Sequence, residues 1–432
     1  MSIGFNSCNI DELEDPNSPG LTAIEADATI SELNNLVTGM EAGMRPFIEV
    51  HLDVCGIIGR EYYRMTGADP RFTSDLLGKG ETILDNNTFY SANSWGGRYA
   101  VVRNGWILRH AIDNTSADLT NEEKNGYRGF AKTIQAYQLL LNANLTYDCG
   151  VRLDVEDIDN PGPFTADYHA SIEGIMAMLD DAKNDLDNSG DAFTFPLSGG
   201  FAGFDTPASF RTFNRALMAR VLLYHEDYAG ALAALSESFM DLGGALSTGT
   251  YNIFSNGAGD VLNPMFVPLN SSAGGNTRVV QDTVVADAEP GDLRLAKAPL
   301  RDEPAFADDL TSNYDLWVYQ SSDAPICIIR NEELVLIYAE ASMRTGATGD
   351  ATTAINKIRT EAGGLAAYSG GTGDDDLLNE ILDQRRYSLL AEGHRWVDMR
   401  RTGKLGELPT DRPGDDVYEN LPRPYDEGEP CQ

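Results

Sequence analysis

No run of about eighteen consecutive apolar residues occurs in the sequence, so as written it contains no helix able to cross a bilayer. Basic residues are scarce: 32 Lys and Arg stand against 67 Asp and Glu, a formal net charge of -35. Nucleic acid phosphates and anionic lipid headgroups are held by Lys and Arg that displace counterions, and this balance repels both. Nucleic acid is therefore excluded as a partner. The acidity reads as a solvated surface that resists association rather than as a site for one cationic partner. Cysteine and histidine number only five each. Cys8, Cys55, Cys149, Cys327 and Cys431 form no CxxC pair and hold no ligand spacing with histidine, which argues against a zinc site.

Cys55 and Cys327 sit in apolar runs and read as small core residues. Cys8 stands apart, in SIGFNSC with a small residue directly before it and the acidic NIDELEDPNSPG after it. One reading is an incidental thiol. The sharper one is a lipid-acceptor cysteine behind a truncated or mis-started signal segment, since most of an apolar h-region is missing. Asn9 to Gly20 carry two prolines and no periodicity, the composition of a tether.

What the chain has in quantity is helical period. Leu334, Ile337, Tyr338 and Ala341 fall on one helix face, Thr345-Gly346 stops that helix, and Asp350 to Ala362 resumes with Ala354, Ile355 and Ile358 inward. Leu377 to Arg401 reads as a third helix. Upstream, Ile30 to Ile58 holds one or two helices, Trp95 to Ile107 another, and Thr120-Asn121-Glu122-Glu123 caps a helix carrying Tyr127, Phe130, Ile134 and Leu141. Ala166 to Leu186 follows, and then Phe210 to Leu223 and Tyr228 to Phe239 pair across the turn His225-Glu226-Asp227. Short turns join such helices into hairpins, and the small residues of DYAGALAALSES and GDATTAINKIRTEA suit the close contacts of a degenerate tetratricopeptide-like repeat.

The expected fold is mostly α: a tetratricopeptide-like helical-hairpin superhelix with long irregular loops and little β. After a tether over residues 1–20, a single domain spans residues 21–432. Its helical scaffold covers 21–240 and 326–405, and a proline-punctuated tail covers 406–432. Residues 241–325 form a loop-rich insertion with short β-like runs such as Thr277 to Val285; a segment this long with little helical period is usually a functional surface. Met65 to Ser94 reads as a second irregular excursion.

Glu392, His394, Arg395, Asp398, Arg400 and Arg401 crowd one predicted helix, with Arg385 and Arg386 just before. They contain an acid, a base and an anion clamp, but Glu392, Arg395 and Asp398 are three apart, the spacing of helix-surface ion pairs, and the cluster reads as a structural lock on the last helices. With so many acids, a carboxylate pair suited to glycoside hydrolysis is guaranteed by chance and carries no weight. Asp154, Glu156, Asp157 and Asp159 offer oxygens to a structural Ca²⁺, yet the stretch lacks the glycine of the known helix-loop-helix calcium motif and reads as a solvated loop. No cofactor is expected.

RNEELVLIYAEASMRTGATGDATTAINKIRTEAG followed by EILDQRRYSLLAEGHRWVDMRRTGKL resembles the C-terminal signature of the SusD/RagB-like outer-membrane nutrient-uptake lipoproteins. DELEDPNSP, SWGGRYAVVRNGWILRHAI, NGYRGFAKTIQAYQLL, HEDYAGALAAL and GDLRLAK agree in order upstream, and Glu392-Gly393-His394-Arg395-Trp396 is the most specific element. The chain departs at Cys149-Gly150-Val151-Arg152, where the family carries a glycine-valine-proline step. The resemblance implies a non-enzymatic protein, lipid-anchored through Cys8 on the extracellular face of the outer membrane. It would capture an oligosaccharide, or in some members a peptide, above a SusC-like TonB-dependent transporter. Other readings are a peptide-binding or extracellular structural tetratricopeptide-like scaffold and, second, a glycoside hydrolase.

Sugar rings present apolar faces edged with hydroxyls, so aromatic side chains and amides on irregular segments are the candidates for capture. Two stretches qualify. The first gives Asn87, Tyr90, Asn93 and Trp95, and the second gives Tyr314, Trp317 and Tyr319. Tyr90 and Trp317 are favoured; Trp95, like Tyr99, shares the apolar period of its helix and reads more readily as core.

Overall fold

The computed structural model describes residues 21–157, 159–272, 276–428 and 431. Cys8 and the expected tether lie outside these residues. The helices open with α1 (Leu21–Asp27), α2 (Ile30–Gly43) and α3 (Ile48–Ile58), then strand β1 (Tyr62–Met65). The long pair α4 (Phe89–Asn114) and α5 (Asn121–Thr146) follows, then α6 (Tyr168–Asp187), α7 (Pro207–Tyr224) and α8 (Tyr228–Ser236). The next segment holds β2 (Gly249–Asn252), β3 (Thr277–Val280), the single turn α9 (Thr283–Ala286), β4 (Leu300–Ala307), β5 (Leu310–Asp315) and β6 (Ile326–Arg330). Four helices close the chain: α10 (Asn331–Arg344), α11 (Thr348–Lys357), α12 (Asp374–Ser388) and α13 (Arg395–Arg401).

The helices stack in the order the sequence presents them. α4 packs on α5, α5 on α6, α6 on α7 and α7 on α8, and α10 joins α8 to α11 and α12. Local chemistry explains several starts. Thr29 with Glu32 and Thr120 with Glu123 form reciprocal capping boxes on α2 and α5, and Thr206 caps α7 ahead of Pro207. At Gly129 a Cβ would come within 2.6 Å of the Leu186 side chain, so glycine lets α5 and α6 approach closely. The result is the tetratricopeptide-like helical architecture expected, mostly α with little strand.

The small β component is organised. β1-β3-β5-β4 make an antiparallel sheet in which Tyr62 faces Val280, Val279 faces Asp315 and Leu300 faces Tyr314. β4 and β5 turn at Asp308-Asp309, both with positive φ, as a two-residue hairpin turn requires. β2 pairs with β6. A buried triad ties the larger sheet to α3: Arg278 donates to both Asp53 carboxylate oxygens at 2.7 and 2.8 Å, and Arg64 donates to one of them at 2.7 Å. Residues 241–325 therefore hold strands as well as loops.

Two boundaries differ from the sequence reading. α4 begins at Phe89, six residues before the expected onset at Trp95, because Tyr90, Ser91 and Ser94 are buried against the rest of the chain. The predicted helix from Leu377 to Arg401 is broken. α12 stops at Ser388, Ala391 and Gly393 both take positive φ, and α13 restarts at Arg395. Glu392 and His394 consequently occupy a turn rather than a helix face.

The charged cluster is a lock, as expected, but an interior one. Arg385 and Arg401 clasp Asp398 at 2.6 and 2.9 Å, and Arg401 reaches Glu340 of α10 at 2.5 and 2.7 Å. Arg220 of α7 donates to Glu333 at 2.6 and 2.5 Å. Glu392 pairs with Arg330 rather than with Arg395. Arg220, Glu333, Glu340, Arg385 and Asp398 are buried, and the cluster ties α7, α10, α12 and α13 together, with Asp398 and Arg401 pairing at three-residue spacing within α13.

Glu61 lies beside this lock. Burial pushes its carboxyl up to about 8, against the opposing pull of Arg395, and one oxygen accepts the Ala391 amide at 3.4 Å. An acid whose folded pKa exceeds its unfolded value stays protonated in the fold while the unfolded chain ionises, so it erodes stability as pH climbs from the usual carboxylate range towards 8. Replacement by its neutral amide, Glu61→Gln, is expected to flatten the fall in Tm between pH 5 and pH 8. Parallel Tm-against-pH curves for the two proteins would refute this.

Candidate functional site

α4 exposes one stripe at its N-terminal half: Gly96, Tyr99, Ala100 and Arg103 recur at helical spacing and form one wall of a cleft of ≈ 550 Å³. Asn93 lies one turn earlier on the same face. The connection after α5 supplies Arg152, Val155 and Pro161 as the second wall, and Asp426 and Glu427 of the tail close the third side.

The walls are cross-linked around aromatic rings. Trp95 donates from its indole nitrogen to Glu427 at 2.6 Å, and Arg152 donates to the other Glu427 oxygen at 3.2 Å. The guanidinium groups of Arg152 and Arg423 lie 3.9 and 3.8 Å from the Phe164 ring centre, and Trp95 stacks at 6.4 Å from the same ring. Such contacts fix the two cationic heads over the ring. The Tyr99 hydroxyl accepts the Arg152 amide at 2.7 Å and donates to the Arg152 carbonyl at 3.1 Å; burial raises its phenol well above the ordinary value, so it remains a donor.

The tail is held by more than packing. Leu421 donates its amide to the Leu145 carbonyl at 2.8 Å, Arg423 donates to the Cys149 carbonyl at 2.6 Å, and a disulfide joins Cys149 to Cys431. The adjoining rim presents Tyr425, 67% exposed, whose amide donates to the Asn86 carbonyl at 3.0 Å and so brings it beside Asn87. An exposed ring next to an exposed amide, beside a cleft lined by Tyr99, Arg103 and Arg152, can stack on a sugar face and bond its hydroxyls.

Among solved structures, a SusD superfamily protein of Bacteroides vulgatus superposes with a TM-score of 0.70 at 18% identity, covering 92% of this chain and 96% of that one. The surface glycan-binding protein A of Bacteroides thetaiotaomicron, solved in complex with laminarihexaose, gives a TM-score of 0.67 at 15% identity, covering 92% and 97%. Residues 308–429 match the model of the SusD family. Over those residues the chain is similar to the SusD family, and its fold as a whole is that of the SusD superfamily structures. A SusD-like protein of Formosa agariphila is 33% identical over 138 residues, 30% of this chain and 27% of that protein, so the match spans about a quarter of the curated relative's length.

Within this SusD-like fold the two expected capture stretches do not share one site. Trp95, only 4% exposed, sits behind the cleft wall against Tyr99 and Glu427; Asn93 lies one helical turn before Gly96, and Asn87 follows Asn86, which accepts the Tyr425 amide. Tyr90 does not present its ring: it is fully buried, its hydroxyl accepts the Asp85 amide at 2.6 Å and donates to Asp75 at 3.0 Å, and it braces the loop below Asn87. Tyr319 is buried too and donates to the Ala391 carbonyl at 3.2 Å. Tyr314 lies in β5, and Trp317 is half-buried with Phe266 at 6.1 Å; neither lines the cleft. Asp154 and Asp157 accept the amides of Glu156 and Asp159 at 2.9 and 3.0 Å, and Glu156 takes His110 at 2.6 Å, so these acids build turns and an ion pair. Arg152, Tyr425, Asp426 and Glu427 were not foreseen as site residues; the departure at Cys149-Gly150-Val151-Arg152 was the one sequence signal near them.

Proposed function

We propose that this SusD-like chain is a surface-exposed, non-catalytic protein that captures an oligosaccharide and delivers it to a SusC-like TonB-dependent transporter. In this reading Cys8 carries the lipid that holds it on the extracellular face of the outer membrane. The observation that carries the binding claim is the cleft on α4, with its rim of Tyr425 and Asn87. The laminarihexaose complex of the fold neighbour from Bacteroides thetaiotaomicron supports a glycan as the ligand class. Each loop is pinned by hydrogen bonds, so the site is largely preformed, while its open shape keeps affinity modest enough for release.

Isothermal titration against a panel of soluble oligosaccharides tests the claim. At least one glycan is expected to bind, and Tyr425→Ala to weaken it about fivefold with Tm unchanged, since an exposed stacking ring contributes about 1 kcal/mol. Retention of short peptides with no glycan bound would favour the scaffold reading. Release of products from labelled oligosaccharide would overturn the non-catalytic claim. Mass spectrometry of native material showing Cys8 unmodified would remove the lipid anchor.

A further inference from the structure

We propose that His169, Glu173 and His225 form a binding site for a divalent transition-metal ion, with zinc the best match. It lies on α6 and the α7–α8 turn, apart from the α4 cleft, and does not depend on the glycan reading. His169 and Glu173 stand four residues apart on α6, so they project from one face, and the His169 Nε2 lies 3.6 Å from a Glu173 oxygen. His225 caps the C-terminal end of α7, and its ring stacks on His169 with centroids 4.0 Å apart and planes at 21°. One ligand atom from each of the three lies within 4.8 Å of the others, the single such group of His, Cys, Asp or Glu among the described residues.

Three features turn this proximity into a site. The His225 Nδ1 is buried and has no hydrogen-bond partner, a polar atom left without the bond that burial normally demands. His169 and Glu173 are exposed, so their side chains can pivot through the ångström or so that separates this arrangement from ligand spacing around one ion at about 2.0–2.2 Å. Acidic groups surround the position: Glu226 and Asp227 follow His225 in the turn, and Asp148 and Asp167 line the same hollow. The nearby cations are already engaged, Arg401 by Glu340 and Asp398, and Arg400 by the Glu419 and Asn144 carbonyls.

Two imidazoles and one carboxylate are a zinc donor set that leaves a fourth position for water, whereas Ca²⁺ and Mg²⁺ select oxygen. The ion would clip the start of α6 to the α7–α8 turn. No cysteine or histidine spacing announces such a site, because its ligands come from two separate hairpins.

Full-length protein stripped with chelator and titrated with Zn²⁺ should bind one equivalent, and Co²⁺ in its place should give the visible absorption of a low-coordinate nitrogen-oxygen site. His169→Ala and His225→Ala are each expected to weaken Zn²⁺ binding about a hundredfold, and Glu173→Gln by less. The metal-free Tm of His169→Ala should match that of the parent, since this side chain is exposed, which separates lost ligation from lost folding. Excess Ca²⁺ should not compete. No saturable Zn²⁺ binding, binding that survives the double histidine variant, or equal displacement by Ca²⁺ would each overturn the proposal.

Discussion

Asp398→Ala is expected to destabilise the protein by about 3–5 kcal/mol, the usual cost of removing one partner from a buried ion pair. Asp398 is 1% exposed and is clasped by Arg385 and Arg401. Burial alone would raise its carboxyl pKa, but the two guanidinium groups outweigh burial and hold it at about 2. Its loss affects the two arginines unequally. Arg401 keeps Glu340, whereas Arg385 donates its one hydrogen bond to Asp398, and both of its terminal nitrogens are buried without partners among the described residues.

Removal of both charges should therefore cost less than removal of one. The pair Arg385→Met with Asp398→Ala is expected to recover part of the loss, because no buried cation then remains unpaired. The same carboxylate contributes to acid lability. Its folded pKa lies below the unfolded value, so the stabilisation is present above about pH 4 and is lost as pH falls towards 2. Urea denaturation at pH 7 measures the first effect, and a single-variant loss under about 1 kcal/mol would refute it. Denaturation midpoints at pH 3 and pH 7 measure the second: the gap between parent and variant should narrow in acid.

These residues show where sequence reasoning reached and where it stopped. Helical period was legible because it repeats locally: Leu334, Ile337 and Ala341 are all buried on α10, at the positions their spacing requires. The pairing of Asp398 with Arg401 follows from the same period. Burial of that pair, and its extension to Glu340, depends on which helices meet, and spacing along one helix does not carry that information. The start of α4 was hidden by the Ser, Asn and Gly of SANSWGG, which are poor helix formers and are helical here because Tyr90 and Trp95 pack into the core. The break before α13 was hidden by the opposite effect, an apolar Leu389-Leu390-Ala391 run that continues the helical pattern across residues that leave it.

The α4 cleft was illegible for a related reason. Its walls come from three distant parts of the chain, and Trp95 meets Glu427 only in the folded state. Asn87, Asn93 and Trp95 could be proposed from residue chemistry, since amides and aromatic rings are what sugars bind. Tyr425 has the same chemistry, but it sits in a proline-rich tail whose course no local pattern reveals. Tyr90 shows the converse: an aromatic on a segment that looks irregular packs inward once that segment proves to be helical.

Loss of the Cys149–Cys431 disulfide, through the double change Cys149→Ser and Cys431→Ser, is expected to lower stability by about 5 kcal/mol. The bond joins positions 282 residues apart, and closing a loop of that size removes entropy from the unfolded chain on this order in the chain-entropy model. Cys55 and Cys327 do not offer alternative partners readily, because burial pushes both thiols up to about 12 and keeps them protonated. Reductant should thus lower the Tm of the parent towards that of the double variant and leave the variant unmoved. The disulfide also holds the tail that brings Tyr425, Asp426 and Glu427 to the cleft, so glycan affinity should fall together with stability. That second effect separates two roles. If the variant loses stability but binds as tightly as the parent, Leu421 and Arg423 alone suffice to seat the tail. If Tm is insensitive to both the substitutions and reductant, the bond does not form in the protein in solution.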